Sequence, residues 1–232
     1  GFGRGASPIE LELYGQNPDD AERIYAEALE LVIEGLTKKT VNFQGAYFSF
    51  ENVRMELEPL QKPHPPMWYG VHSPESAARA ARKGLNIVSL DTAAETRGFA
   101  DRFREVWRET AGDTSSMPKI GLGRFIVIAD SNEEALGVAR RAYSIWHRSF
   151  NYLFRLHGSS PRHPRPPDFD GLAEAGRGIA GTPETVAKFL RSQIEESDAT
   201  YLVGQFAFGD LALAESLRSV ELFTRHGMPA LR

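Results

Sequence analysis

Four short segments, residues 67–71, 86–90, 120–129 and 200–205, are almost continuously apolar, and each is followed within a few residues by the start of a helical pattern. This alternation constrains the chain more than any other feature. A strand that is apolar on both sides must be covered on both sides. Strand–helix repeats provide that cover through a parallel sheet with right-handed crossovers. The helix starts are explicit. Ser73-Pro74-Glu75 begins a helix that ends at Gly84. Thr92 with Glu95, and Ser131 with Glu134, read as capping boxes. The helix after Thr92 carries Phe99, Phe103 and Val106 on one face and is stopped by Gly112. Thr182-Pro183-Glu184 repeats the first design, and Asp210 is expected to cap the last helix, which ends near Gly227 and Pro229.

Three stretches depart from this rhythm. Asn17-Pro18, followed by acidic residues, starts a helix with Ile24, Ala28, Val32 and Leu36 on one face. Residues 41–58 read as a β excursion, rich in strand formers and broken by Gly45, and residues 62–66 as an extended linker. Residues 143–180 read as an insertion: an aromatic stretch (Tyr143, Trp146, Phe150, Tyr152, Phe154), then a Pro- and Gly-rich loop over 161–181. A loop of that length is expected to be functional or disordered.

The order is one helix, two strands, then four strand–helix repeats. An eight-unit (β/α)8 TIM barrel takes about 250 residues, and five units roughly 155. The excursion and the insertion absorb the rest of the 232 residues. The expectation is an α/β chain, one partial barrel domain over 1–232, with about strands four to eight present. The opening, Gly1-Phe2-Gly3-Arg4-Gly5, has no Met and reads as the inside of a strand-to-loop transition, hence as a fragment or a shortened chain. A barrel short of three units exposes two sheet edges, so either partner contacts, in a homo-oligomer such as a dimer, are expected to cover them, or the missing strands belong to the protein beyond these 232 residues. No G-x-G-x-x-G follows a strand, so a dinucleotide-binding Rossmann domain is not supported.

Composition removes other classes. The chain has no cysteine, which excludes disulfides, thiol nucleophiles and thiolate-held metals. Its net charge of −4 argues against a general binder of nucleic acid or anionic membrane. No apolar run reaches the ~18 residues of a membrane span, and no signal peptide opens the chain, so a cytoplasmic location is expected. The six histidines show no metal-binding spacing.

The strongest candidate site is the turn at 73–76. At a strand-to-helix junction on the carboxyl face of a barrel, free N–H groups and the helix dipole attract a phosphate, and the Ser73 and Ser76 hydroxyls add donors. Glu75 would serve through its backbone N–H. By the residues alone, the same tripeptide is simply a good helix cap, the commoner role of such a sequence. Arg4, between two glycines, is placed to bind a phosphate bidentately or to be an ordinary surface arginine. His72 sits at the strand edge, facing a ligand or held structurally. The aromatic stretch packs the interior or walls a hydrophobic cleft.

Several segments, in order, carry a family resemblance. They are Gly1-Phe2-Gly3-Arg4-Gly5; the acidic helix from Asp19; Phe43-Gln44-Gly45 to Phe50 with Pro63-His64-Pro65-Pro66-Met67-Trp68; Gly70 to Ser76; Ala180-Gly181-Thr182-Pro183-Glu184-Thr185-Val186; and Phe206-Ala207-Phe208-Gly209-Asp210 to Pro229. Together they resemble the bacterial luciferase-like, flavin-dependent monooxygenases. The resemblance implies that residues 1–5 end the fourth barrel strand and that strands one to three are absent. It implies reduced FMN and O2 as co-substrates, a flavin reductase as supplier, and a small organic substrate. It places the FMN phosphate at Ser73–Ser76 with Arg4 reaching it, so that Arg4 and Ser76 converge, and it lets His72 face the flavin. The chemistry is then largely the flavin's, and no catalytic acid or base can be named. Two alternatives stay open: a non-catalytic flavin-binding relative, and an oxidoreductase using the deazaflavin F420.

Overall fold

The computed structural model describes residues 1–5, 7–111 and 115–231, in two compact units, Gly1–Gly70 and Val71–Arg232. Gly112, the expected helix stop, lies outside the described residues.

In the first unit, a short helix not anticipated from the sequence, α1 (Pro8–Leu13), is capped by Ser7 Oγ, which accepts from Glu10 N. Asn17 does start a helical segment, but as a 3-10 turn, Pro18–Asp20. Its first free amide, Asp19 N, donates to Asn17 Oδ1 at 3.1 Å, and α2 (Ala21–Thr37) follows. The excursion at 41–58 is an antiparallel hairpin of β1 (Thr40–Gln44) and β2 (Ser49–Arg54), paired from Thr40↔Arg54 to Gln44↔Ser49. β3 (Trp68–Gly70) lies parallel to Phe2, whose N–H donates to Trp68 O at 2.9 Å.

The hairpin turn is held from α2. The Glu27 carboxylate accepts from Ala46 N, Tyr47 N and Phe48 N at 2.9, 2.8 and 2.7 Å. Desolvation pushes its pKa up, but the three amides outweigh that and leave it below the ordinary value. A Cβ at Gly45 would lie 2.1 Å from Glu27 Oε1, so the carboxylate occupies the space a side chain there would need. Glu27→Ala is expected to speed amide hydrogen exchange at residues 46–48 by about tenfold, because three amides lose their acceptor together. Unchanged exchange there would show that the turn stands without Glu27.

The second unit is built on four parallel strands, β4 (Asn86–Ser89), β5 (Ile120–Ile128), β6 (Gly178–Gly181) and β7 (Tyr201–Gln205). β5 pairs with each of the other three. Successive residues of a parallel strand direct their backbone groups to opposite edges. Ile87 N donates to Lys119 O, and Phe125 N donates to Arg177 O, both at odd-numbered positions of the central strand. Ile120 O, at an even position, accepts from Thr200 N. β4 and β6 therefore share one edge of β5, end to end, and β7 takes the other.

All nine residues of β5 are buried. Phe125, Val127 and Ala129 pack with Ala135, Ala139, Ala142 and Tyr143 of α5 (Asn132–Phe150), while Ile126 and Ile128 pack with Val186 and Leu190 of α8 (Pro183–Ser197) and Leu222 of α9 (Leu213–Leu222). This two-sided burial is why the strand reads as one apolar run. Tyr143, Trp146 and Phe150 stack at 5.2 and 5.1 Å, so this part of the aromatic stretch is packing along α5.

α3 (Pro74–Arg82) and α4 (Ala93–Thr110) follow the expected starts, with a full capping box at Thr92 and Glu95. Gly84, at φ +65°, closes the turn after α3 in the left-handed conformation that glycine adopts without strain. Three expectations are corrected. Residues 161–181 are not one loop: α6 (Tyr152–Leu156) precedes them, and α7 (Phe169–Glu174) and β6 form within them, which makes a fifth strand–helix repeat. Asp210 does not cap the last helix. α9 starts from Ala212, whose N–H donates to Glu215 at 2.8 Å, and Asp210 pairs with Arg141 at 3.1 Å. At Ser131 the bond made is the forward half of the expected box, from Glu134 N to Ser131 Oγ. No described helix is long and apolar enough to cross a membrane.

Candidate functional site

The carboxyl ends of the second unit's strands bring two arrangements to one face. The first is the start of α3. Val71 continues beside β4, its N–H donating to Val88 O at 3.0 Å, and the chain then turns through His72 into the helix. Ser73 Oγ accepts from Ser76 N at 3.2 Å. Ser76 Oγ accepts from Ser73 N and His72 N at 3.1 and 3.3 Å and donates to Ser73 O at 2.8 Å. Ser76, buried, fills the place that Glu or Gln usually takes in a capping box. Its hydroxyl hydrogen is therefore committed. Pro74 has no N–H, and Ala77 N is bound by Ser73 O. The Glu75 N–H is left as the first-turn amide with no partner among the described residues. The Glu75 carboxylate lies among the charges acting on Arg102 of α4.

The second arrangement surrounds Asp91, just after β4. His72 Nδ1 donates to Asp91 Oδ2 at 2.7 Å. Arg177 Nη2 donates to Asp91 Oδ1 at 3.1 Å, and Arg177 Nε to Leu90 O at 2.9 Å. Arg165 Nη1 lies 3.6 Å from Asp91 Oδ1 and 3.4 Å from Leu90 O. Arg124, fully buried within β5, donates to Asp91 O and Gly123 O at 3.0 and 2.7 Å and twice to Gln193 Oε1 of α8. The His163 ring stacks on His72 with centroids 4.6 Å apart. His163 and Arg165 both come from the segment between α6 and α7, which thus folds over the end of β4.

The electrostatics follow from this packing. Burial pushes the Asp91 carboxyl up, but His72 and Arg177 outweigh it and hold it below the ordinary carboxylate value. Burial, aided by repulsion from Arg177, brings Arg124 down to about 10, so it stays charged at neutral pH. Burial and the neighbouring His72 lower His163. Asp91 accepts from His72 Nδ1 and so orients the imidazole ring.

Arg4 belongs to the first unit. Its guanidinium pairs with Glu22 at 3.2 Å, both side chains nearly half exposed. It also borders a cleft of about 500 Å³ with Tyr25, Tyr47, Phe48 and the Ile24–Ala28–Val32 side of α2. Of the residues singled out in the sequence, His72, Ser73, Glu75 and Ser76 share one turn. Asp91, Arg124, His163, Arg165 and Arg177 were missed. A signal did exist for two of them. Arg124 interrupts a buried apolar strand, and a buried cation needs partners. Asp91 directly follows such a strand.

The chain matches the family described as luciferase-like monooxygenase over residues 1–200. The uncharacterized protein y4wF of Sinorhizobium fredii is 36% identical over 217 residues, covering 94% of this chain and 64% of that protein. The chain thus spans less than two thirds of that relative's length. Among solved structures, the monooxygenase RslO1 from Streptomyces bottropensis superposes with a TM-score of 0.80 at 22% identity, covering 100% of this chain and 68% of that one. The oxygenating constituent of 3,6-diketocamphane monooxygenase from Pseudomonas putida, in complex with FMN, gives 0.70 at 17%, covering 99% and 70%. An F420-dependent secondary alcohol dehydrogenase gives 0.66 at 16%, covering 99% and 68%. With most of its length matched by the family and its parallel α/β fold shared with these structures, the chain belongs to the luciferase-like monooxygenases.

Proposed function

We propose that this chain is the flavin-holding part of a (β/α)8 barrel enzyme that uses reduced FMN and O2 to oxidise a small organic substrate, with a separate flavin reductase supplying the reduced cofactor. The observation that carries the reading is the open Glu75 N–H at the start of α3, on the carboxyl side of the parallel sheet. A phosphate fits that donor set. The helix start presents an amide and the positive end of its dipole. Ser73 and Ser76 hold the turn in shape, and the Glu75 carboxylate lies toward Arg102. His72, held by Asp91, borders the same turn and is assigned to the flavin's edge. When bound, reduced flavin supplies the electrons that activate O2, and this chain's residues hold and orient it.

The test is a titration of the full chain with FMN and with riboflavin, read by flavin fluorescence. FMN is expected to bind tighter than riboflavin by about tenfold or more, since only FMN carries the charged group. Ser73→Asp keeps an equally good cap but places a negative charge at the phosphate. It should erase most of that advantage and leave riboflavin binding unchanged. Equal binding of the two flavins, or of neither, sinks the reading. The likeness to the F420-dependent alcohol dehydrogenase favours one other reading, F420 in place of FMN. Tight binding of F420 with none of FMN would select it.

A further inference from the structure

The cluster around Asp91 holds more positive charge than its own groups balance. Arg124, Arg165 and Arg177 all bond to Asp91 or its backbone neighbours, and among the described residues Asp91 is the one carboxylate that any of them contacts. Glu196 acts on Arg124 from a distance, and the Asp168 Oδ1 is taken by Gly171 N in capping α7. Arg162 adds a further positive charge beside His163. The side chains of Arg165 and Arg177 are only 9% and 13% exposed, so water neutralises them poorly. Each guanidinium offers five N–H donors. Arg165 uses only Nη1, and Arg177 uses Nε and Nη2. Arg165 Nε and Nη2 and Arg177 Nη1 have no hydrogen-bond partner among the described residues. Partly buried cations with open donors beside a satisfied carboxylate are the chemistry of an oxyanion site. His163, from the same segment as Arg165, lies over His72 and closes one side of the cluster.

We propose that Arg165 and Arg177, with His163 at the edge, bind the carboxylate of a small organic acid, which makes the oxidised substrate an anion. Asp91 is the positioning residue. It holds both guanidiniums at the end of β4 and takes one positive charge, so the guest's carboxylate meets cations already oriented. The proposal deepens the reading of the chain as a flavin-dependent oxidising enzyme, because it names the substrate class. The benzoate titration itself uses no flavin, so it can fail independently of FMN binding.

The probes are benzoate and its neutral counterpart benzamide, titrated into the full chain while the imidazole carbon-bound hydrogens of His72 and His163 are followed by NMR. Benzoate should give a saturable shift, and benzamide none. Arg165→Gln should weaken benzoate about tenfold or more, Arg165→Lys should restore part of the loss, and Arg82→Gln on the exposed end of α3 should change nothing. Thermal melting of each variant checks folding, and the lysine variant keeps the test meaningful if the glutamine variant folds poorly. The proposal is overturned by any of three results: no saturable shift, an equal response to benzamide, or unchanged affinity in Arg165→Gln. Competition identifies the source of the anion. FMN and benzoate should bind together; displacement of benzoate by FMN but not by riboflavin would assign the site to the flavin phosphate and overturn the substrate assignment.

Discussion

Gly209→Ala should lower the unfolding free energy by about 3 kcal/mol. Gly209 has φ +59°, where an L-residue costs about 1–2 kcal/mol. A Cβ there would lie 1.8 Å from Ala142 O, a backbone atom of α5 that cannot swing aside. Relieving that overlap adds about 1–3 kcal/mol of overpacking strain. The site matters because its neighbours anchor the chain after β7. Phe208 packs edge-on against Phe125, and Asp210 pairs with Arg141. Gly158→Ala is the comparison. Its φ is +62°, but nothing lies within 4 Å of the added carbon, so only the backbone cost of about 1–2 kcal/mol applies. Urea unfolding of both variants separates the two contributions. Equal losses would show that the contact with Ala142 relaxes freely.

Asp91→Asn should cost about 3–5 kcal/mol at neutral pH, the range for breaking a buried ion pair and leaving its partner uncompensated. The side chain of Asp91 is 10% exposed, so solvent screening takes little from this effect. The sign of the pH dependence follows from its depressed pKa. The carboxylate's contribution is complete above its ordinary value of 3.8 and is lost as pH falls through the lower folded value. The gap between parent and variant should therefore stay constant from neutral pH down to about 4 and close below it. A gap that closes between pH 7 and 6 would point to the histidines instead.

The repeating strands and most helix starts were legible because each rests on a local rule. Ser73, Thr92, Ser131 and Thr182 cap their helices through bonds spanning three residues. β5 announces itself by nine buried residues in a row. What was missed depends on distant partners. Gly178–Gly181 contains two glycines and little strand propensity, and it is a strand because the far half of β5 offers an open edge. α7 is six residues long and is held by Phe169 and Leu172 buried against the interior, not by its own periodicity. The turn at 73–76 was found because its residues are adjacent. The cluster at Asp91 was not, because residues 72, 91, 124, 163, 165 and 177 meet only after the segment before α7 has folded over β4.

The end-to-end placement of β4 and β6 along one edge of β5 leaves a seam where one strand has left and the next has not begun. A sheet normally closes such a break with main-chain amides, which every sequence carries. Here the carbonyls of Leu90, Asp91 and Gly123 are met by guanidinium groups of Arg177 and Arg124. The join is stitched by side chains. Single substitutions can therefore tighten or loosen it, and any anion that draws on the same guanidiniums tugs on the stitching. Occupancy at this spot should be felt along β5 itself, in the strand that the other three strands share.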